Sequence, residues 1–350
     1  MIPSKAGSAA LTSIRIALDV MSGDESPSAR MCSVIKLLTD KPDLFLYLIG
    51  DEVFIKSFLR MVPGIDWSRL AIVHSVKTVS MSDSPFSVLR SKQESSMWMM
   101  LELVASGEAH ACVSAGNTGA LMAMGRHLLQ MVADVDRPAI ATCIPCRKGS
   151  AILLDIGANV DSTAINLHQF AVMGSQLSSS VYHVYNPRVA LMNVGTEDIK
   201  GNKQVRLASQ LIQKDNRINY IGYIEGHAIF SGLADVIVCD GFVGNVALKT
   251  AEGVASLVKE ELLATFGLNW WSRLLGLAVS PVLKEFCRRV DPVRYNGASF
   301  LGLQGIVVKS HGSADGKGFF QAVCQAIYEV QVGVSDCLMV DSGGGYTHSP

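Results

Sequence analysis

Short runs of β-branched and aliphatic residues alternate with helix-periodic stretches along nearly the whole chain, and no other feature restricts the fold as much. Strand-like runs read Ile14–Val20, Leu44–Ile49, Leu70–Val76, Ala111–Ser114, Ala139–Ile144, Ala151–Ile156, Val189–Val194, Tyr220–Ile224, Val236–Cys239 and Ile306–Lys309. Amphipathic patterns over Glu94–Ala105, Leu121–Met131, Ala164–Met173 and Gln204–Ile212 lie between them. Such alternation builds βαβ units, whose sheets are mainly parallel and covered by helices on both faces. One α/β domain over residues 14–330 is expected, with flexible ends at 1–13 and 331–350.

With 49% hydrophobic and 17% charged residues, the chain can fill a large core. A formal net charge of −1 excludes a broad nucleic-acid footprint, which needs a basic excess. Cys112 and Cys239 sit inside apolar runs and read as buried small hydrophobes. Cys143 and Cys146 have the spacing of a redox or zinc pair, but no second pair accompanies them. Eight unclustered cysteines suit a reducing, cytoplasmic compartment. Met1–Thr12 lacks the apolar core of a signal peptide, and no 18-residue apolar run predicts a spanning helix.

The strand ends concentrate polar chemistry. Ser114–Gly119, Asp155–Asn159, Asn193–Asp198, Glu225–His227, Asp240–Asn245 and Ser310–Asp315 each exchange aliphatic residues for Gly, Asn, Asp, Ser or His. In an open α/β sheet, ligands bind beyond the carboxyl ends of the strands, so these loops are expected to converge on one edge. Helices starting at Asn117, Gly244 and Gly316 would point positive dipole ends at an anion there. The same residues also serve as ordinary turns and caps, so each loop alone is uninformative. Gly-x-Gly-x-x-Gly is absent after the first strand, Gly312–Gly318 lacks P-loop spacing, and there is no Gly-x-Ser-x-Gly elbow. Lys200, between a strand and a helix, reads equally as a solvated helix-start lysine or as a charge for phosphate or an oxyanion.

Together the segments Val113–Ala123, Leu154–Asp161, Gln169–Gly174, Ala234–Asn245 and Val308–Asp315 resemble the bacterial phosphate acyltransferases of phospholipid synthesis, the acyl-ACP:phosphate transacylase (PlsX) family. The likeness runs from about Ile14 to Glu329. It implies a Rossmann-like, phosphotransacetylase-like fold and a homodimer. It also implies fatty acyl transfer from acyl carrier protein to inorganic phosphate, with no metal or organic cofactor. The acyl phosphate would then pass to a glycerol-3-phosphate acyltransferase. Two segments depart from the family pattern: Ser22 replaces a glycine in the first loop, and Tyr295–Gly302 differs from Tyr-Gly-Gly-Ala-Pro-Leu-Leu-Gly.

Carried onto matching positions, the resemblance implies a division of labour. Lys200 and Asn245 would stabilise the tetrahedral oxyanion, Lys200 by charge and Asn245 by an amide N–H at a helix start. His311 and Ser310 would hold phosphate or protonate the leaving thiolate, although His311 reads equally as a loop cap. Ser114, Gly116, Asn117, Thr118, Asn159, Gly241, Gly244 and Gly312 would line the substrate site, and Asp155 and Asp240 would fix loops. Phosphate is already nucleophilic near neutral pH, so orientation and charge suffice. A CoA-dependent phosphotransacylase and a non-catalytic carrier-docking scaffold remain alternatives. Arg60, Arg69, Lys77 and Arg90 are candidates to meet an acidic carrier.

Residues 262–290 read as a protruding amphipathic helical hairpin. Trp271, Leu274, Leu275, Ala278, Val282 and Phe286 share one face, next to Trp270, while Arg273, Lys284 and Arg288 lie opposite. That pattern suits either peripheral membrane contact or packing against a second subunit.

Overall fold

The computed structural model describes residues 13–267, 271, 279–283, 285–286, 293 and 296–334. Among the described residues, eleven strands form a single sheet: β1 (Ile14–Asp19), β2 (Leu44–Gly50), β3 (Leu70–His74), β4 (Ala111–Ser114), β5 (Ala139–Pro145), β6 (Ser150–Leu154), β7 (Arg188–Met192), β8 (Asn219–Ile224), β9 (Val236–Val238), β10 (Ala298–Leu301) and β11 (Ile306–Lys309). Their spatial order is β3-β2-β1-β4-β11-β10-β5-β6-β9-β7-β8. Helices α1 (Pro27–Asp40), α2 (Glu52–Arg60), α3 (Pro85–Ser91), α4 (Ser96–Ala105), α5 (Thr118–Leu129), α6 (Ala164–Ser180), α7 (Lys203–Gln213), α8 (Gly241–Gly267) and α9 (Gly316–Val332) supply the connections.

Strand period decides which face each residue covers. Ile16 and Leu18 of β1 pack with Met31, Val34 and Phe319 from α1 and α9, whereas Ala17 packs with Met97, Leu101 and Met124 from α4 and α5. In the other half, Leu154 and Val238 face Phe170 of α6, while Leu153 and Ile237 form a smaller cluster with Cys239. Both faces are therefore covered, as alternation implies. Cys112 and Cys239 are buried, and burial pushes both thiols up.

The strand directions correct the expected single carboxyl edge. β3, β2, β1, β4 and β11 are parallel, and β6, β9, β7 and β8 are parallel, but antiparallel β10 and β5 stand between the two sets. One continuous row pairs Leu18, Val113, Val308, Ser299, Ala141, Leu154, Val238 and Leu191 across the sheet. One residue further on stand Asp19, Ser114 and Lys309 in one half, and Asp155, Cys239 and Met192 in the other. The halves run in opposite senses, so these two sets of loops leave the row in opposite directions. There are two carboxyl edges.

α8 connects them. It starts beyond β9 and packs on β6, and its Lys249 reaches His311 beyond β11. Asp240 caps it by accepting the Val243 N–H at 2.8 Å, so the helix begins at Gly241 rather than Gly244. Residues 262–267 continue this same helix. Trp271, Val282 and Phe286 are exposed, whereas Trp270, Leu274, Leu275 and the segments 1–12 and 335–350 lie outside the described residues. Among the described residues, no helix is long and apolar enough to cross a membrane.

Candidate active site

In the first half, three loops are hydrogen-bonded into one unit. The buried Asp19 carboxylate accepts from the N–H groups of Met21 and Ser22 at 3.3 and 3.2 Å, and from Ser114 Oγ at 2.8 Å. Ser114 Oγ in turn accepts the Gly116 N–H at 3.0 Å. Ser310 N–H donates to the Ser114 carbonyl and Asp24 N–H to the Gly312 carbonyl, both at 2.9 Å. A Cβ on Gly312 would stand 2.5 Å from Asp24 Oδ2, and one on Gly116 would meet Ser22 Cβ at 2.8 Å. These glycines permit the close approach of the loops after β1, β4 and β11. Arg30 supports the first loop from below, donating to the Val20, Met21 and Glu25 carbonyls at 2.9, 3.3 and 3.0 Å.

Lys309 lies beneath this unit. Its ammonium is buried and donates to the Ala115 carbonyl at 3.2 Å and to its neighbour Ser310's carbonyl, clamping the β4 and β11 loops together. Burial lowers its pKa to about 8; Lys249 adds to the fall, while Asp24 and Asp19 oppose it. Lys309 belongs to a quoted motif, yet sequence reasoning gave it no role. A lysine closing an aliphatic strand was the available signal.

In the second half the centre is Asp155. Its buried carboxylate accepts from the N–H groups of Ile140, Gly157, Ala158 and Asn159 at 3.1, 3.2, 2.9 and 2.7 Å, and from Asn159 Nδ2 at 2.9 Å. Burial raises its pKa, opposed by those donors. All five donors are N–H groups, so Asp155 fixes its loop as an acceptor. Asn159 is equally committed: its amide also donates to the Pro138 carbonyl at 2.8 Å, and its own carbonyl accepts the Gly241 N–H at 2.7 Å.

Asn245 reaches over this turn, its Nδ2 donating to the Ile156 carbonyl at 3.0 Å. The Gly244 N–H already bonds the Asp240 carbonyl at 3.0 Å, and Asn245, the fifth residue of α8, follows its first turn. The side-chain amide of Asn245 is the group that reaches the Asp155 loop. Asn117 is bonded to a neighbouring loop. Its Nδ2 donates to the Ser80, Met81 and Asp83 carbonyls at 3.2, 2.9 and 3.0 Å, while Oδ1 caps α5 by accepting the Ala120 N–H at 3.0 Å. Thr118 follows as the first residue of that helix.

Lys200 is exposed on the loop after β7. Its N–H donates to the Glu197 carbonyl at 3.0 Å, and its carbonyl accepts from Asn193 Nδ2 at 3.3 Å. Gly201, at φ +88°, makes this turn possible, since a Cβ there would stand 2.2 Å from Asn193 Oδ1. These contacts fix the backbone of the loop that carries Lys200.

The two edges meet through α8. Eight residues after its start, about 12 Å along the axis, Lys249 places its ammonium on His311 Nε2. Sequence reasoning missed Lys249, which lies four residues after Asn245 in an ordinary helical stretch. His311 is positioned by its N–H on Asn296 Oδ1 at 2.9 Å and by Ser313 Oγ 2.8 Å from its Nδ1. Asn296 Nδ2 also donates to Ser310 Oγ at 2.9 Å. Burial, then Lys249, lower the His311 pKa, which favours the neutral ring. Both ring nitrogens are engaged: Nδ1 accepts the Ser313 N–H at 3.3 Å, and Nε2 meets the Lys249 ammonium.

Known proteins match this architecture over nearly its whole length. The model of the family described as "Fatty acid synthesis protein" matches residues 14–337. A protein named "Phosphate acyltransferase" from Coxiella burnetii (strain RSA 493 / Nine Mile phase I) is 49% identical over 328 residues, covering 92% of this chain and 95% of that one. One of the same name from Pseudomonas savastanoi pv. phaseolicola is 51% identical over 314 residues, covering 90% and 92%. The chain belongs to this phosphate acyltransferase (PlsX) family. The family's fold is that of a wider group. A phosphotransacetylase from Streptococcus pyogenes superposes with TM-score 0.62 at 14% identity over 91% of this chain and 94% of that one. The EutD phosphotransacetylase from Staphylococcus aureus gives 0.59 at 17% identity over the same shares.

Proposed function

We propose that this member of the family transfers a fatty acyl group from the thioester of acyl carrier protein to inorganic phosphate. The observation that carries the reading is the meeting of the two carboxyl edges. A loop unit containing Ser310, His311 and buried Lys309 lies at one, and the Asn245 amide at the other. A phosphate oxygen attacks the thioester carbonyl carbon, the carbon–sulfur bond breaks, and the thiol leaves. Lys200 and the Asn245 side chain stabilise the oxyanion, while the Ser310–Gly312 loop orients phosphate. Ser114, Gly116, Asn117, Asn159, Gly241 and Gly244 shape the loops that hold these groups.

Of the carrier-docking candidates, Arg69 donates to the Leu38, Lys41 and Leu44 carbonyls, and Lys77 pairs with Glu94. Arg60 and Arg90 are exposed and suit an acidic carrier better. Homodimer formation, peripheral membrane contact and delivery of acyl phosphate to a glycerol-3-phosphate acyltransferase complete the proposal. Exposed Val254, Leu257 and Leu263 on α8, with Trp271, Val282 and Phe286 beyond it, provide apolar surface for the first two.

The test supplies purified protein with phosphate and either acyl carrier protein thioester or acyl-CoA, trapping acyl phosphate with hydroxylamine. Phosphate-dependent product from the carrier thioester is expected. Product from acyl-CoA alone would replace the donor, and none from either would end the enzymatic reading.

A further inference from the structure

Lys249 has no part in the mechanism above, yet it makes the one described side-chain hydrogen bond from α8 to the Ser310–Ser313 loop. Its side chain is 43% exposed. Glu252 Oε2 holds it from one side at 2.8 Å, and His311 Nε2 accepts from it on the other. The charged groups facing this position are Lys309 beneath, Glu252 on the same helix and Asp24 on the first loop.

We propose that Lys249 binds the phosphate substrate, exchanging its bond to His311 for one to a phosphate oxygen when the anion enters. This deepens the reading under Proposed function and rests on it. An ammonium resting on a neutral imidazole has a weak partner. A phosphate dianion is a better acceptor, because charge-assisted hydrogen bonds are roughly twice as strong as neutral ones. Glu252 keeps the ammonium at the cleft during the exchange. Asn245 lies four residues earlier on the same face of α8, about 6 Å along the axis. Phosphate held by Lys249 is thus one helical turn from the amide assigned to the oxyanion.

The exchange also releases His311 Nε2. Hydrogenphosphate attacks through oxygen, the carbon–oxygen bond forms and the carbon–sulfur bond breaks. The phosphate proton moves to His311 Nε2 and then to the departing sulfur. Hydrogenphosphate dianion and thioester become acyl phosphate dianion and thiol, with atoms and charge balanced. His311 starts and finishes neutral.

Lys249→Met and Lys249→Arg test the assignment, read by steady-state kinetics and by calorimetric titration of inorganic phosphate into protein without thioester. For Lys249→Met, KM and Kd for phosphate should rise at least about tenfold, the cost of one charge-assisted hydrogen bond. The thioester KM and the melting temperature should stay at wild-type values, and Lys249→Arg should regain part of the phosphate affinity. Wild-type phosphate affinity in Lys249→Met would overturn the proposal, as would a wild-type protein that binds no phosphate. If wild type binds phosphate but makes no acyl phosphate, the acyl-transfer reading fails, and the titration alone judges Lys249.

Discussion

Gly244 packs so closely on Asp155 that a Cβ there would stand 2.0 Å from the Asp155 carbonyl oxygen. The obstacle is backbone, held by a loop whose carboxylate already accepts five hydrogen bonds, so it cannot yield. This contact sets how deeply the first turn of α8 enters the Asp155 loop, and therefore where Asn245 and Lys249 project.

Gly244→Ala should push α8 outward and destabilise the protein by about 3 kcal/mol, at the upper end of overpacking costs. Urea unfolding measures the loss, and acyl phosphate formation should fall with it because Asn245 moves. An unchanged midpoint and rate would show that the packing is looser than described.

Ser22 stands where the family pattern has glycine, and its Oγ is buried without a hydrogen-bond partner among the described residues. A stranded hydroxyl costs about 1–3 kcal/mol, so Ser22→Ala should raise the urea midpoint. Catalysis should be unaffected, since Asp19 receives the backbone N–H of residue 22 rather than its side chain. A lowered midpoint would mean that the hydroxyl is bonded after all.

Lys309 makes activity and stability respond oppositely to alkali. Its pKa of about 8 in the folded protein lies below the roughly 10.4 of an unfolded lysine. Between these values the unfolded chain binds more protons, so stability rises with pH across that window. The folded protein meanwhile loses a cation beneath the phosphate loop, and kcat/KM for phosphate should fall as pH passes about 8. Parallel pH profiles of melting temperature and kcat/KM check both signs. The alkaline fall should be absent in Lys309→Met, and a fall that persists there belongs to another group.

Ten strands were legible because aliphatic runs bounded by Gly, Asn and Asp carry their own signal. β10 was not, since Ala298–Leu301 carries no β-branched residue. Missing it hid the reversal of direction, because strand sense follows from pairing between distant segments. The polar strand ends were legible as loops, but composition cannot separate a side chain that meets substrate from one that fixes the loop. The Asn117 amide donates to three backbone carbonyls, and the Asn159 amide to the Pro138 carbonyl and the Asp155 carboxylate, so both hold loops in place. Lys249 was overlooked for a related reason. It sits within an ordinary helical stretch, and only the fold brings it to His311.

Lys200 and Asn245 carry the central claim, that charge and an amide at the second carboxyl edge stabilise an acyl-transfer oxyanion. The direct measurement is the initial rate of acyl phosphate formation from carrier-bound thioester and phosphate by Lys200→Ala and Asn245→Ala. Circular dichroism and melting temperature serve as folding controls. Each variant should lose about 100-fold or more in kcat, as for removal of one oxyanion donor, with the fold intact. Wild-type turnover in either folded variant would contradict that residue's role, and in both would contradict the account.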